Sequence, residues 1–214
     1  MKDKPSEWVS ISDLMAGVMA VVMLLLVMSV LQKTYAELKH KQELEQGGVA
    51  QQKRINEMLT DLKSSVDAQG ASNLISFDIG NGKITLKENI FNVGSACITP
   101  SAVQAFKSLD KRIINFLREN PNAFVYVEGH TDNAIVKQPV TDFKEKCTVY
   151  DDNFTLSAAR AREARKLIIS NLDSTEAKRV IVAGYGDSRP LVGTDPSDGK
   201  NRRVEIQFVV STQN

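Results

Sequence analysis

The sequence predicts an α/β protein: one N-terminal membrane-spanning helix, a helical linker, and a mixed domain whose helices pack on one face of a sheet. Three observations lead there. A run with no charge and no proline extends from Leu14 to Leu31. Beyond it the chain turns to Lys, Glu, Gln and Leu as far as Asp67. From Leu74 onward, apolar spacings of two alternate with spacings of three and four, as strands interleaved with helices require. The implied divisions are an N-terminal segment at 1–12, a span at 13–32, a linker at 33–73 and a domain at 74–214.

Taken as a helix rising about 1.5 Å per residue, the apolar run covers roughly 27 Å, enough to cross a bilayer. It lacks a clear small-x-small cleavage site, and the polar helix-forming stretch KTYAELKHKQELEQ continues directly from it, so an uncleaved anchor is expected. Asp13 stands at its mouth. A carboxylate inside a spanning helix costs about 2.5 to 3.5 kcal/mol on insertion scales, and an anchor alone has no need of one. On a helical wheel Asp13 shares its face with Ser10, Ala16, Gly17 and Ala20, small residues that let another helix approach, while Met15, Met19 and Met23 run opposite. Two readings stay open on these residues alone: a working carboxylate, or an N-cap beside Ser12 above a generic packing face.

The 27 basic and 26 acidic residues nearly balance, which gives no electrostatic reason to expect nucleic acid. Cys97 and Cys147 are an even pair: a disulfide if the domain lies outside the cytoplasm, two buried thiols otherwise. Basic residues do not orient the span. Lys2 and Lys4 precede it and Lys33, Lys39 and Lys41 follow, a count against a cytoplasmic N-terminus, although large domains translocate regardless of such counts.

In the linker, Leu38, Leu44, Ile55, Met58, Leu59, Leu62 and Val66 fall at partly helical spacing, interrupted by Gly47 and Gly48. Two helical pieces are expected. The first continues the span; the second is amphipathic and is expected as a solvated linker, with pairing to a twin or to the membrane surface as alternatives. DAQGASN at 67–73 marks the domain boundary, and SFDIGNGKITL then reads as a hairpin turning at GNG. Thr99 and Pro100 open a helix carrying Val103, Phe106, Leu109, Ile113, Phe116 and Leu117, which stops before Asn120 and Pro121. Strands follow at 123–127, 179–184 and 203–210, with a helix from about Thr155 to Asn171 between the first two.

Three pieces of the domain carry a resemblance: VEGHTDN at 127–133, NFTLSAARA at 153–161, and GYGDSRP with GKNRRVEI at 184–190 and 199–206. Together they resemble the OmpA-like peptidoglycan-binding domain, from about residue 75 to 211. The resemblance implies that Asp132 and Arg160 bind the wall. Diaminopimelate in peptidoglycan stems offers an ammonium for a carboxylate and a carboxylate for a planar guanidinium. Asn153, Asn201, Arg202 and Arg203 match further positions that bind or shape the site, with a structural role flanking the last strand open for the two arginines. The sequence departs from the common pattern after Asn133, where IVKQPVTDFKEKCTVYDD is longer than usual. A Cys97–Cys147 bond would clamp that insertion beside the pocket.

Enzyme chemistry is not expected, nor a cofactor or a metal. His130 lies near Asp132 in sequence, but His40 is in the linker, the cysteines lack zinc spacing, and no nucleophile elbow or phosphate loop is present.

WVSISDLM opening onto a single span, with an OmpA-like domain at the far end, resembles the MotB-like B subunits of ion-driven stators. That resemblance implies a homodimer inside a ring of five polytopic A subunits, with Asp13 taking up and releasing protons. It further implies the bacterial inner membrane, an N-terminus in the cytoplasm and the domain in the periplasm. The short N-terminus, compact linker and cysteine-bearing insertion point to the B subunit type of the Zorya anti-phage defence motor. A flagellar stator subunit and a passive wall tether are the alternatives.

Overall fold

The computed structural model describes residues 7–211. Lys2 and Lys4 lie outside the described residues, as do the side chains of Ser10, His40 and Leu44.

Helix α1 runs Glu7–Ala68. The break expected at Gly47 and Gly48 is absent, and this corrects the two-piece reading. Glycine costs a helix about 1 kcal/mol relative to alanine but removes no hydrogen-bonding group, so the ladder passes through it. Chain contacts fall into two units that meet at Val49 and Ala50, earlier than the expected boundary at 73. The first unit contains Ile11–Lys39, long and apolar enough to cross a membrane, with its large side chains exposed. Asp13 and Gly17, one turn apart, line the same shallow concavity of this helix.

In the second unit the last turns of α1 belong to the core. Ile55, Leu59, Leu62 and Val66 are buried, and the core cluster they join includes Ile84, Leu109 and Phe208. The solvated-linker expectation is overturned here. An amphipathic stripe needs an apolar partner, and these residues find it in their own domain.

Strands β1 (Ile75–Asp78) and β2 (Lys83–Leu86) form the expected hairpin. Helix α2 (Pro100–Glu119) begins at Pro100, whose missing N–H costs nothing at a first turn. Strand β3 (Ala123–His130) leads through a short helix α3 (Phe143–Lys146) in the insertion to α4 (Asn153–Ile168), capped by Asp152. The chain ends through α5 (Ser174–Ala177), β4 (Val180–Gly184) and β5 (Arg203–Val210). The sheet order is β1-β2-β5-β3-β4, antiparallel except that β3 and β4 are parallel, with α4 in the crossover between them.

Alternation sorts the faces. Val125 and Val127 of β3 and Val204, Ile206 and Phe208 of β5 enter the core, and Phe116 of α2 meets Phe208 edge to face at 5.5 Å. Their neighbours Glu128, Arg203, Glu205 and Gln207 take the other side of the sheet. Burial pushes the Glu205 carboxyl up, but Lys83 and Arg203, each 2.6 Å away, hold it below the ordinary carboxylate range.

Candidate functional site

The end of β3 is where the sheet opens into loops. The Thr131 N–H donates to the Gly186 carbonyl at 2.8 Å and the Asn133 N–H to Pro196 at 3.1 Å, so the backbone on both sides of Asp132 is pinned. Asn153, at the start of α4, donates its Nδ2 to the Asp132 carbonyl at 3.3 Å and to the Ala134 carbonyl at 2.9 Å. It shapes the loop that carries the aspartate.

Arg160 lies two turns into α4 and is buried. Its Nε donates to the Ser95 carbonyl at 3.1 Å, and its guanidinium lies 5.5 Å from the centroid of the Phe91 ring. Its terminal nitrogens make no hydrogen bond among the described residues. Burial lowers its pKa to about 10, with Tyr150 and Asp132 opposing that shift and Arg202 adding to it, so the group stays protonated at neutral pH. A buried, planar, charged donor with its fork free suits a carboxylate.

Asp132, Asn153, Arg160 and Arg202 line one cleft of about 500 Å³. Arg202 donates to Asp132 Oδ2 at 2.5 Å and also contacts Glu88. Burial works against the charge of Arg202, but Asp132 and Glu88 outweigh it and hold the guanidinium above its usual range.

Asn201 and Arg203 are not in the cleft, which corrects their expected place among the binding residues. Asn201 is fully buried, accepting from the Leu191 N–H and donating to the Asp195 carbonyl, both at 2.8 Å. Arg203 is buried against Glu205 on the sheet face away from the helices. The chain enters β5 here, so consecutive side chains leave in opposite directions.

The insertion is ordered. Val140 and Tyr150 exchange backbone hydrogen bonds at 2.8 and 3.0 Å, and Cys97 and Cys147 form a disulfide. The Lys146 carbonyl accepts from the Ala96 N–H and from Ser95 Oγ, both at 3.0 Å. The disulfide thus ties the insertion to the loop whose carbonyl receives Arg160.

Sequence reasoning missed Glu88, Phe91, Ser95 and Thr131. Thr131 Oγ1 is buried at the cleft wall, without a hydrogen-bond partner among the described residues. His130, singled out beside Asp132, faces elsewhere: it is buried, stacks on Tyr185 at 5.4 Å, and neither ring nitrogen has a hydrogen-bond partner among the described residues, Nε2 standing 4.0 Å from Glu205 Oε2. Glu128, His130 and Glu205 bring potential metal-ligand atoms within 4.8 Å of one another. Lys83 and Arg203 already engage both oxygens of Glu205, which matches its charge from within the protein.

An antiparallel sheet with one parallel crossover, a strand-end aspartate and a helix-borne arginine define an OmpA-type domain. A profile of the OmpA family matches residues 90–203, and the chain belongs to that family. It is homologous to two further proteins. Motility protein B of Bacillus subtilis is 34% identical over 126 residues, 58% of this chain and 43% of that protein, so the match spans less than half of its length. The Zorya protein ZorB of Escherichia coli is 25% identical over 225 residues, 99% of this chain and 90% of that protein. Among solved structures, a MotB-like protein from Desulfovibrio vulgaris shares the fold with a TM-score of 0.53 at 21% identity, over 76% of this chain and 98% of that one.

Proposed function

We propose that this chain is the peptidoglycan-anchored B subunit of a proton-driven membrane motor of the Zorya type. The observation that carries the reading is the end-to-end likeness to ZorB, which takes in the span with Asp13 as well as the wall-binding domain. In this reading the chain crosses the inner membrane once, with its N-terminus in the cytoplasm and its domain in the periplasm. Two copies stand within a ring of five polytopic A subunits. Asp13, at the mouth of an otherwise uncharged span, takes a proton from one side and releases it to the other. The cleft holds diaminopimelate of the wall, its ammonium on Asp132 and its carboxylate on Arg160, so the motor has a fixed point to work against.

A flagellar role is the second reading, favoured by the higher identity to Motility protein B over the shared part. The test of the stator reading is purification of the tagged chain from gently solubilised native membranes. Recovery with an excess of a polytopic partner, together with loss of function but not of assembly in Asp13→Asn, supports a stator. A lone monomer or dimer, with Asp13→Asn indistinguishable from the unaltered chain, leaves a passive tether. Defence against phage rather than motility as the lost phenotype separates the two stator readings.

A further inference from the structure

One guanidinium in the cleft serves two carboxylates. Arg202 reaches Asp132 with Nη1 and Glu88 with Nη2, and both acids line the cleft beside Arg160. Asp132 is therefore not vacant when a ligand arrives. Its Oδ2 already holds a cation, and a ligand ammonium competes with that cation for the carboxylate.

Glu88 sits in a 3-10 turn at Glu88–Ile90 and Arg202 at the end of another at Gly199–Asn201. The two turns are pressed together over Gly199, where a Cβ would stand 2.5 Å from Glu88 Oε2 and 2.6 Å from Arg202 Nη2. The absence of a side chain at 199 is what lets the Glu88–Arg202 pair close.

We propose that Glu88 is a positioning residue for ligand binding: it retains the Arg202 guanidinium when a ligand ammonium takes over Asp132, so that the internal cation does not compete for the recognition carboxylate. The inference rests on the wall-binding reading of the cleft. Without Glu88, both donors of the Arg202 fork fall to Asp132, and a bidentate arginine–carboxylate pair is much harder for an ammonium to displace than a shared, single contact. The role is one of discrimination between two cations for one acid, one supplied by the protein and the other by the ligand.

The experiment uses the full chain in detergent and, as probe, a soluble muropeptide whose stem ends in meso-diaminopimelate, with affinity read by calorimetry and fold integrity by thermal midpoint. Glu88→Gln is expected to weaken binding about tenfold, the scale of one charge-assisted hydrogen bond. Adding Arg202→Gln to Glu88→Gln is expected to recover affinity, because the competitor is gone. A structural salt bridge predicts the reverse, with the double variant no better than Glu88→Gln. Gly199→Ala gives a second route, since it pushes the pair apart while keeping both charges, and its loss too should be recovered by Arg202→Gln. Unchanged affinity in Glu88→Gln, or a double variant as weak as the single, overturns the proposal. Failure of the unaltered chain to bind the muropeptide overturns the wall-binding reading and the proposal with it.

Discussion

Gly129 of β3 and Ser157 of α4 meet backbone to backbone: a Cβ at position 129 would stand 1.9 Å from the Ser157 carbonyl oxygen. Three residues beyond each lie Asp132 and Arg160, so this contact sets how closely strand and helix bring the pair together. The Ser157 hydroxyl adds a hydrogen bond from the Gly186 N–H at 2.9 Å. Gly129→Ala has no way to fit without moving α4 off the sheet. It is expected to destabilise the domain by about 3 kcal/mol or more, the upper range for overpacking, and to weaken muropeptide binding as well. Thermal unfolding and binding titration of the variant check both.

Leu59, fully buried, tests whether the end of α1 belongs to the domain. Leu59→Ala is expected to cost about 2 to 5 kcal/mol, as for a large-to-small change in a core. A solvated linker would give a change near zero in denaturant unfolding.

The Cys97–Cys147 bond closes a sequence separation of 50 residues. Chain-entropy arguments put its contribution at about 4 kcal/mol. Reduction, or Cys97→Ser with Cys147→Ser, should lower the unfolding midpoint. Binding should weaken too, because Ser95, which receives Arg160, loses the tie that holds its loop to the insertion. Titration under oxidising and reducing conditions reads the second effect.

His130 gives a pH dependence with a definite sign. Burial, then the Arg203 charge, lowers its pKa to about 4 in the folded chain. The unfolded chain takes up that proton near pH 6.5, so the stabilisation is complete above this pH and is lost as pH falls toward 4. The loss is on the order of 3 kcal/mol from that shift. His130→Phe should remove this part of the acid sensitivity, read as the difference between the two stability profiles over that window.

The elements that announced themselves in the sequence did so by local chemistry. Thr99 and Pro100 placed the start of α2, and the alternation of Val204, Ile206 and Phe208 placed β5 and its inner face. The stripe Ile55, Leu59, Leu62 and Val66 was equally visible, but periodicity tells that a face is apolar and not what covers it. In the site, Asp132, Asn153 and Arg160 were legible because each lies in a contiguous motif on one element. Glu88 and Ser95 were not: the first reaches the cleft and the second receives Arg160 from parts of the chain far away in sequence, and no local pattern marks them. Asn201 and Arg203 misled for the opposite reason: neighbours of Arg202 in sequence, they leave the backbone toward other surroundings.

The buried end of α1 changes what happens when the chain is pulled. A solvated leash stretches before its domain feels any force. Here tension arriving along Ala50–Ala68 meets side chains interlocked with the sheet and α2, so it enters the domain as shear across apolar contacts rather than as extension of a spring. Slack is removed from the connection on the domain side, and a displacement at that end of the helix is passed to the cleft of Asp132 and Arg160 with little lag.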